Sequence, residues 1–197
     1  MVRTTDSVEN RYNMNNPEIT FNEHYIRIYK AFKREFGNAH SVLHPCCFFD
    51  ASPSKVFGNV TYVDGDERAI DRMRESGLKA VCEDIRNYKP TEEHDLLVLV
   101  RPGNSVAKNP GWVTQHLRSG GLVLTEVNYG DARRMYEQPK LYELCGGVCD
   151  GEPDILDFES KRKPARAFKF DKDKFINFRH DLYEGTHEIN WLVFKKK

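Results

Sequence analysis

The chain contains no apolar run approaching the roughly 20 residues that a membrane-spanning helix needs. Its first residues, MVRTTDSVENRYNMNNPE, carry no apolar h-region, so no signal peptide is expected. Neither sign of charge is in excess: 30 Lys and Arg balance 30 Asp and Glu. That balance excludes the basic footprint of a general nucleic-acid binder and the acidic bias of a disordered solvating chain, and leaves room only for a local basic patch. Cysteine is scarce and odd in number, five residues with Cys46 and Cys47 adjacent. This is no secreted disulfide framework, and it points to a reducing cytoplasm. Internal repeats and low-complexity tracts are missing too. Glycine is absent from the whole stretch between Gly37 and Gly58.

What remains is a chain of 197 residues, enough for one domain with its own core. Residues 1–38 read as a polar segment followed by an amphipathic helix. Phe21, Tyr25, Ile28, Tyr29, Phe32 and Phe36 recur at three- and four-residue steps, with Lys30, Lys33, Arg34 and Glu35 between them. Gly37 stands where a left-handed helix stop is common.

Residues 39–197 read as the α/β core. Strands are expected over 41–49, 59–64, 79–82, 94–100 and 122–127, with Pro45 demoting the far end of the first. The continuous apolar centre of Leu96-Leu97-Val98-Leu99-Val100 indicates burial on both faces, as in a parallel sheet. Helices are expected from Asp66 to Gly77, from Asn109 to Arg118 with Gly120-Gly121 closing it, and from Asp131 to Leu144 with a break at Pro139. Residues 150–164 read as a surface loop. Arg166–Phe170 and Ile189–Phe194 are expected to pair antiparallel at one edge, and residues 174–183 fit strand or helix equally. The fold class is therefore a three-layer α/β sandwich. Its mostly parallel, doubly wound sheet ends in an antiparallel hairpin and is preceded by a helix.

Ligands of such sheets sit at the carboxyl ends of the strands. The residues there are His44 to Pro53, Asp64 to Asp66, Asp84, Arg101 to Asn104, and Asn128-Tyr129. A carboxylate ending the second strand suits the two hydroxyls of a ribose, and Asp64 is placed there. Asp64 or Asp66 equally suits the cap of the following helix. Asp84 fits either the adenine amino group of a nucleotide or a simple turn. His44 and Cys46 could form a nucleophile–base pair, although small buried cysteines are common. Cys145 and Cys149 could hold zinc only if two further ligands joined them. His180 and His187 fit a polar loop better than a metal site.

Taken in order, Ser-Val-Leu-His-Pro-Cys-Cys, Val-Thr-Tyr-Val-Asp64, Val-Cys-Glu-Asp84, His-Asp-Leu-Leu-Val-Leu-Val and Gly-Gly-Leu-Val-Leu-Thr-Glu resemble the class I S-adenosylmethionine-dependent methyltransferase family. The resemblance covers residues 41 to 128. It implies a seven-stranded sheet whose last strand is antiparallel and inserted beside the fifth. It also implies S-adenosylmethionine as cofactor, with Asp64 on the ribose and Asp84 near the adenine, and His44, Cys46 and Arg101 at the neighbouring strand ends. The family's first strand ends in an acid followed by a Gly-x-Gly turn. Here His44 stands at the acid, and Cys46 and Cys47 stand near the glycines. Two functions follow as expectations: a methyltransferase acting on an unidentified acceptor, or a binding or scaffold module that has lost the cofactor. The second predicts that Cys46, Cys47 or Phe48 fills the cofactor's place. A dinucleotide binder ranks last, because no Gly-x-Gly-x-x-Gly turn is present. The chain is compatible with a homo-oligomer.

Overall fold

The computed structural model describes residues 18–100, 111–126, 135, 138–149, 165–169 and 191–197. Helix α1 spans Glu23–Phe36. The Asn22 side chain caps its first turn by accepting from the His24 N–H at 2.9 Å. Gly37, at φ 95°, ends it, where a side chain would strain the backbone. The predicted apolar stripe buries Tyr25, Ile28, Tyr29 and Phe32. Phe21 falls outside the helix, where the Lys55 ammonium lies 4.0 Å from its ring centre.

Eight strands follow: β1 Val42–Pro45, β2 Val60–Asp64, β3 Lys79–Cys82, β4 His94–Leu99, β5 Leu117–Glu126, β6 Tyr142–Cys149, β7 Arg166–Lys169 and β8 Trp191–Lys196. Helix α2 occupies Glu67–Glu75 and α3 Gly111–Thr114. A single 3-10 turn, Ser52–Lys55, fills the short connection from β1 to β2. All strands lie in one sheet, in the order β3-β2-β1-β4-β5-β8-β6-β7. The first five are mutually parallel. β8 is antiparallel to both β5 and β6.

The last strand therefore lies beside the fifth, as the resemblance implies, and among the described residues the sheet numbers eight strands. The expected pairing of 166–170 with 189–194 does not occur: β6 separates β7 from β8. β6 itself replaces the end of the helix expected over 131–144, and Pro139 lies in the turn before it. A strand wins at Tyr142–Cys149 because two partners, β7 and β8, satisfy its backbone on both sides.

The helix expected over 109–118 is also overturned at its end. Leu117 already pairs with His94, while Leu122 pairs with Leu96, so five residue steps of β5 face two of β4. Gly120, at φ 77°, makes this bulge inside β5 rather than stopping a helix. Residues 150–164, 174–183, His180 and His187 lie outside the described residues.

Alternation along the strands sorts the core into two layers. Val42, Tyr62, Leu96, Val98, Leu124, Trp191 and Val193 pack under α1 and α2. Leu43, Val63, Leu97, Leu99, Val123, Leu192 and Phe194 face the opposite side with Ile85 and Tyr88. Burial of both faces explains the unbroken apolar centre of β4. Trp191 sets its indole edge-on to Tyr25 and Tyr29, with ring centres 5.6 and 6.1 Å apart, and so fastens α1 to β8. Among the described residues, no helix is long and apolar enough to cross a membrane.

Candidate functional site

The carboxyl ends of β1, β2 and β3 are stitched into one strip. The Cys46 N–H donates to Val63 O at 2.8 Å, and the Glu83 N–H donates to Asp64 O at 3.0 Å. Three predicted residues, Cys46, Asp64 and Asp84, thereby become neighbours in the strip. His44 is the third residue of β1 and is fully buried below it. Arg101 and Asn128-Tyr129 lie outside the described residues.

The turn after β1 resolves the glycine problem. Cys46 has φ 54° and Phe48 φ 48°, the only two non-glycine residues with positive φ among those described. These positions have the i, i+2 spacing of the Gly-x-Gly turn. The chain thus takes left-handed backbone at two non-glycine positions, at about 1–2 kcal/mol of strain per residue. Such strain persists only where the surroundings over-determine the geometry. Here they do. The Phe48 N–H donates to Asp64 Oδ2 at 2.8 Å. The Asp50 N–H donates to Cys47 O at 2.9 Å, and the segment before α1 clips the loop from outside. The Thr20 N–H donates to Phe49 O at 2.7 Å, and the Ala51 N–H to Thr20 O at 2.9 Å.

The side chains of the turn diverge. Cys47 is buried in the layer beneath α2, with Sγ 3.9 Å from Met73 Sδ. Burial pushes its thiol pKa well up, and the Asp64 carboxylate adds to the rise, so it is held as the neutral thiol. Cys46 packs against the opposite layer. Phe48 is 37% exposed. Its ring meets that of Phe49, with centres 4.4 Å apart.

Asp64 and Asp66 divide the two roles that the sequence left open. Asp66 caps α2, its Oδ1 accepting from the Arg68 N–H at 3.0 Å. Its carboxyl is held below the ordinary carboxylate range by Arg68. Asp64 Oδ1 accepts from the Asp66 N–H at 2.9 Å, and Oδ2 holds Phe48. Each carboxylate oxygen has a second lone pair, so the side chain can still accept from two hydroxyls.

Asp84 is engaged by Arg86. The guanidinium Nε lies 2.8 and 2.9 Å from the two carboxylate oxygens. That contact holds the Asp84 pKa down at about 2. Asp84 also forms a turn: its Oδ1 accepts from the Arg86 N–H, and its carbonyl from the Asn87 N–H. A cleft of about 770 Å³ begins here at Glu83 and Arg86 and runs past Tyr88 to Gln115 and His116. It is lined by neither Asp64 nor the Cys46–Phe48 turn, so it is a separate feature from the strand-end site.

Asp50 is the residue that sequence reasoning passed over. Its Oδ2 faces His44 Nε2 at 3.4 Å. The other ring nitrogen, Nδ1, lies 3.1 Å from Val98 O. Both ring nitrogens are committed away from Cys46, which overturns the nucleophile–base pairing of His44 with Cys46. The available signal was a lone acid in a turn too short to form a full helix. Of the two cysteines considered for zinc, only the Cys145 side chain is among the described residues. That thiol lies 3.3 Å from Glu143 O on β6. Among the described residues, no cluster of three His, Cys, Asp or Glu side chains could hold a metal.

No protein-family model matches the chain, and no curated protein matches its sequence. Solved structures do resemble it. The N-methyltransferase NodS of Bradyrhizobium japonicum WM9, in complex with S-adenosylhomocysteine, aligns at TM-score 0.51 and 13% identity, over 88% of this chain and 85% of that one. A methyltransferase of Thermotoga maritima aligns at TM-score 0.52 and 10% identity, over 88% of each chain. The sugar N-methyltransferase KedS8 of Streptoalloteichus sp. ATCC 53650 aligns at TM-score 0.51 and 11% identity, over 100% and 99%. At such identities the likeness establishes the fold: this chain has the α/β architecture of S-adenosylmethionine-dependent methyltransferases.

Proposed function

We propose that the chain binds S-adenosylmethionine across the carboxyl ends of β1 to β3 and transfers its methyl group to an acceptor. The observation that carries this reading is the left-handed backbone at Cys46 and Phe48, two residues apart in the turn after β1 where the resemblance calls for Gly-x-Gly. Strain of this kind is expected at sites that use it. Asp64 would hold the ribose hydroxyls, and Cys46 would present its backbone to the ligand. Asp84 would approach the adenine amino group once Arg86 swings aside. His44 acts beneath the turn, and Arg101 is proposed for the end of β4. The sulfonium supplies the reactive methyl, so the chain's task is alignment and water exclusion. A single domain in the cytoplasm fits the free thiols of Cys46, Cys47, Cys82 and Cys145.

Isothermal titration with S-adenosylmethionine and S-adenosylhomocysteine tests the reading, and saturable heat with either is expected. A folded sample that gives no heat with both overturns it. One observation favours the second reading, a scaffold module without cofactor: Arg86 already occupies Asp84 in the free chain. That reading predicts the silent titration.

A further inference from the structure

We propose that the His44–Asp50 ion pair is the positioning device that replaces glycine in this turn, closing residues 45–49 into the shape the cofactor requires. The argument begins with protons. Val98 O can only accept, so Nδ1 of His44 carries a hydrogen. Nε2 then faces Asp50 Oδ2 at 3.4 Å, and neither atom has another partner. Two bare acceptors do not sit together in a buried place, so one proton must lie between them. The second Asp50 oxygen, Oδ1, already accepts from the N–H and the hydroxyl of Ser52. Burial by itself would raise the Asp50 pKa, but His44 and Ser52 together hold it below the usual carboxylate range. That shared proton joins the two side chains across the mouth of the turn.

The other titratable groups that feel the Asp50 charge are Tyr29 from α1, Tyr62 from β2 and the Cys47 thiol of the turn. The Tyr29 hydroxyl is buried without a partner, and burial, reinforced by Asp50, pushes its pKa up. None of these groups is a cation, so His44 is the partner that Asp50 Oδ2 meets here. The pair ties the end of β1 to the start of the 3-10 turn. Between its two members lie both left-handed residues. The acid that the family places at the strand end stands here six positions later, facing a histidine.

The role in cofactor binding rests on the methyltransferase reading; the state of the pair does not. Two measurements keep them apart. The first is the ¹⁵N spectrum of His44 in the unaltered chain at neutral pH. Two protonated ring nitrogens, reverting to one in D50N, are expected. A neutral His44, or one unchanged in D50N, overturns the pair. The second is S-adenosylhomocysteine affinity. D50N and H44Q should each weaken it about tenfold, the equivalent of releasing one strained residue. Adding C46G/F48G to D50N should recover most of that loss, because glycine needs no brace. If D50N binds as tightly as the unaltered chain, or if the glycines rescue nothing, the positioning role is wrong. If the unaltered chain does not bind at all, the methyltransferase reading and the positioning role both fail, and the ¹⁵N result still decides the pair.

Discussion

The two ends of the sheet are built differently. At the amino end, Asp95 Oδ2 accepts from the His40 and Ser41 N–H groups, its Oδ1 lies 2.7 Å from Arg118 Nε, and Ser41 Oγ lies 2.7 Å from His94 Nδ1. Each contact is made by residues in ordinary backbone conformations. At the carboxyl end, two non-glycine residues are left-handed. The buried His44–Asp50 pair and the Tyr29 hydroxyl, which is buried without a partner, also gather there. At the amino end, His94 Nε2 is likewise buried without a partner. Strain and unmet polar groups are tolerated where a ligand or chemistry needs them. The contrast sets the carboxyl end, where the site is proposed, apart from the amino end.

Breaking each end in turn should expose the asymmetry. D50A leaves the buried His44 ring and the Ser52 N–H and hydroxyl without their partner and should lower stability by about 2–4 kcal/mol, the scale for two or three buried polar groups each losing a hydrogen bond. D95A leaves two N–H groups unpaired close to solvent and should cost only about 1–2 kcal/mol. Urea denaturation measures both, and equal losses would erase the distinction between the ends. D64N should separate stability from binding. It keeps the shape but removes the charge that holds Phe48, so S-adenosylhomocysteine affinity should fall about 10- to 100-fold, the range for a hydrogen bond to a charged group.

A smaller effect is expected at Asp84. Its folded pKa of about 2 lies below the ordinary value, so any stability it contributes is present above about pH 4 and is lost as pH falls toward 2. Both partners are largely exposed, so the urea midpoint of R86A at neutral pH should hardly move. An NMR titration should show Asp84 returning to about 4 in R86A. If Arg86 must leave for adenine to bind, R86A will also bind S-adenosylhomocysteine at least as tightly as the unaltered chain. The smallest expected change is a gain: F48G relieves a left-handed residue whose ring is largely outside the core. It should stabilise the chain by less than about 1 kcal/mol, the strain relief less glycine's entropy. A loss of stability in F48G would mean that the ring, not the backbone, holds the turn.

Legibility followed periodicity. Helices α1 and α2 and strands β1 to β4 could be read because their apolar spacing is local and strong. So could Asp64 and Asp84 at the strand ends. The carboxyl-terminal third could not. Tyr142–Cys149 is a strand only because β7 and β8 flank it, and β8 reaches β5 across some 70 positions of chain. Gly120-Gly121 reads as a helix stop in one dimension and proves to be a bulge against His94 and Leu96.

By itself, the order of residues determined the parallel core and the placement of two acids at its rim, since hydrophobic period and capping are properties of neighbours along the chain. Only the folded arrangement decided that Cys46 and Phe48 could take glycine's backbone and that Asp50 would find His44. Those outcomes depend on hydrogen bonds from β2 and from the segment before α1, which no local pattern records.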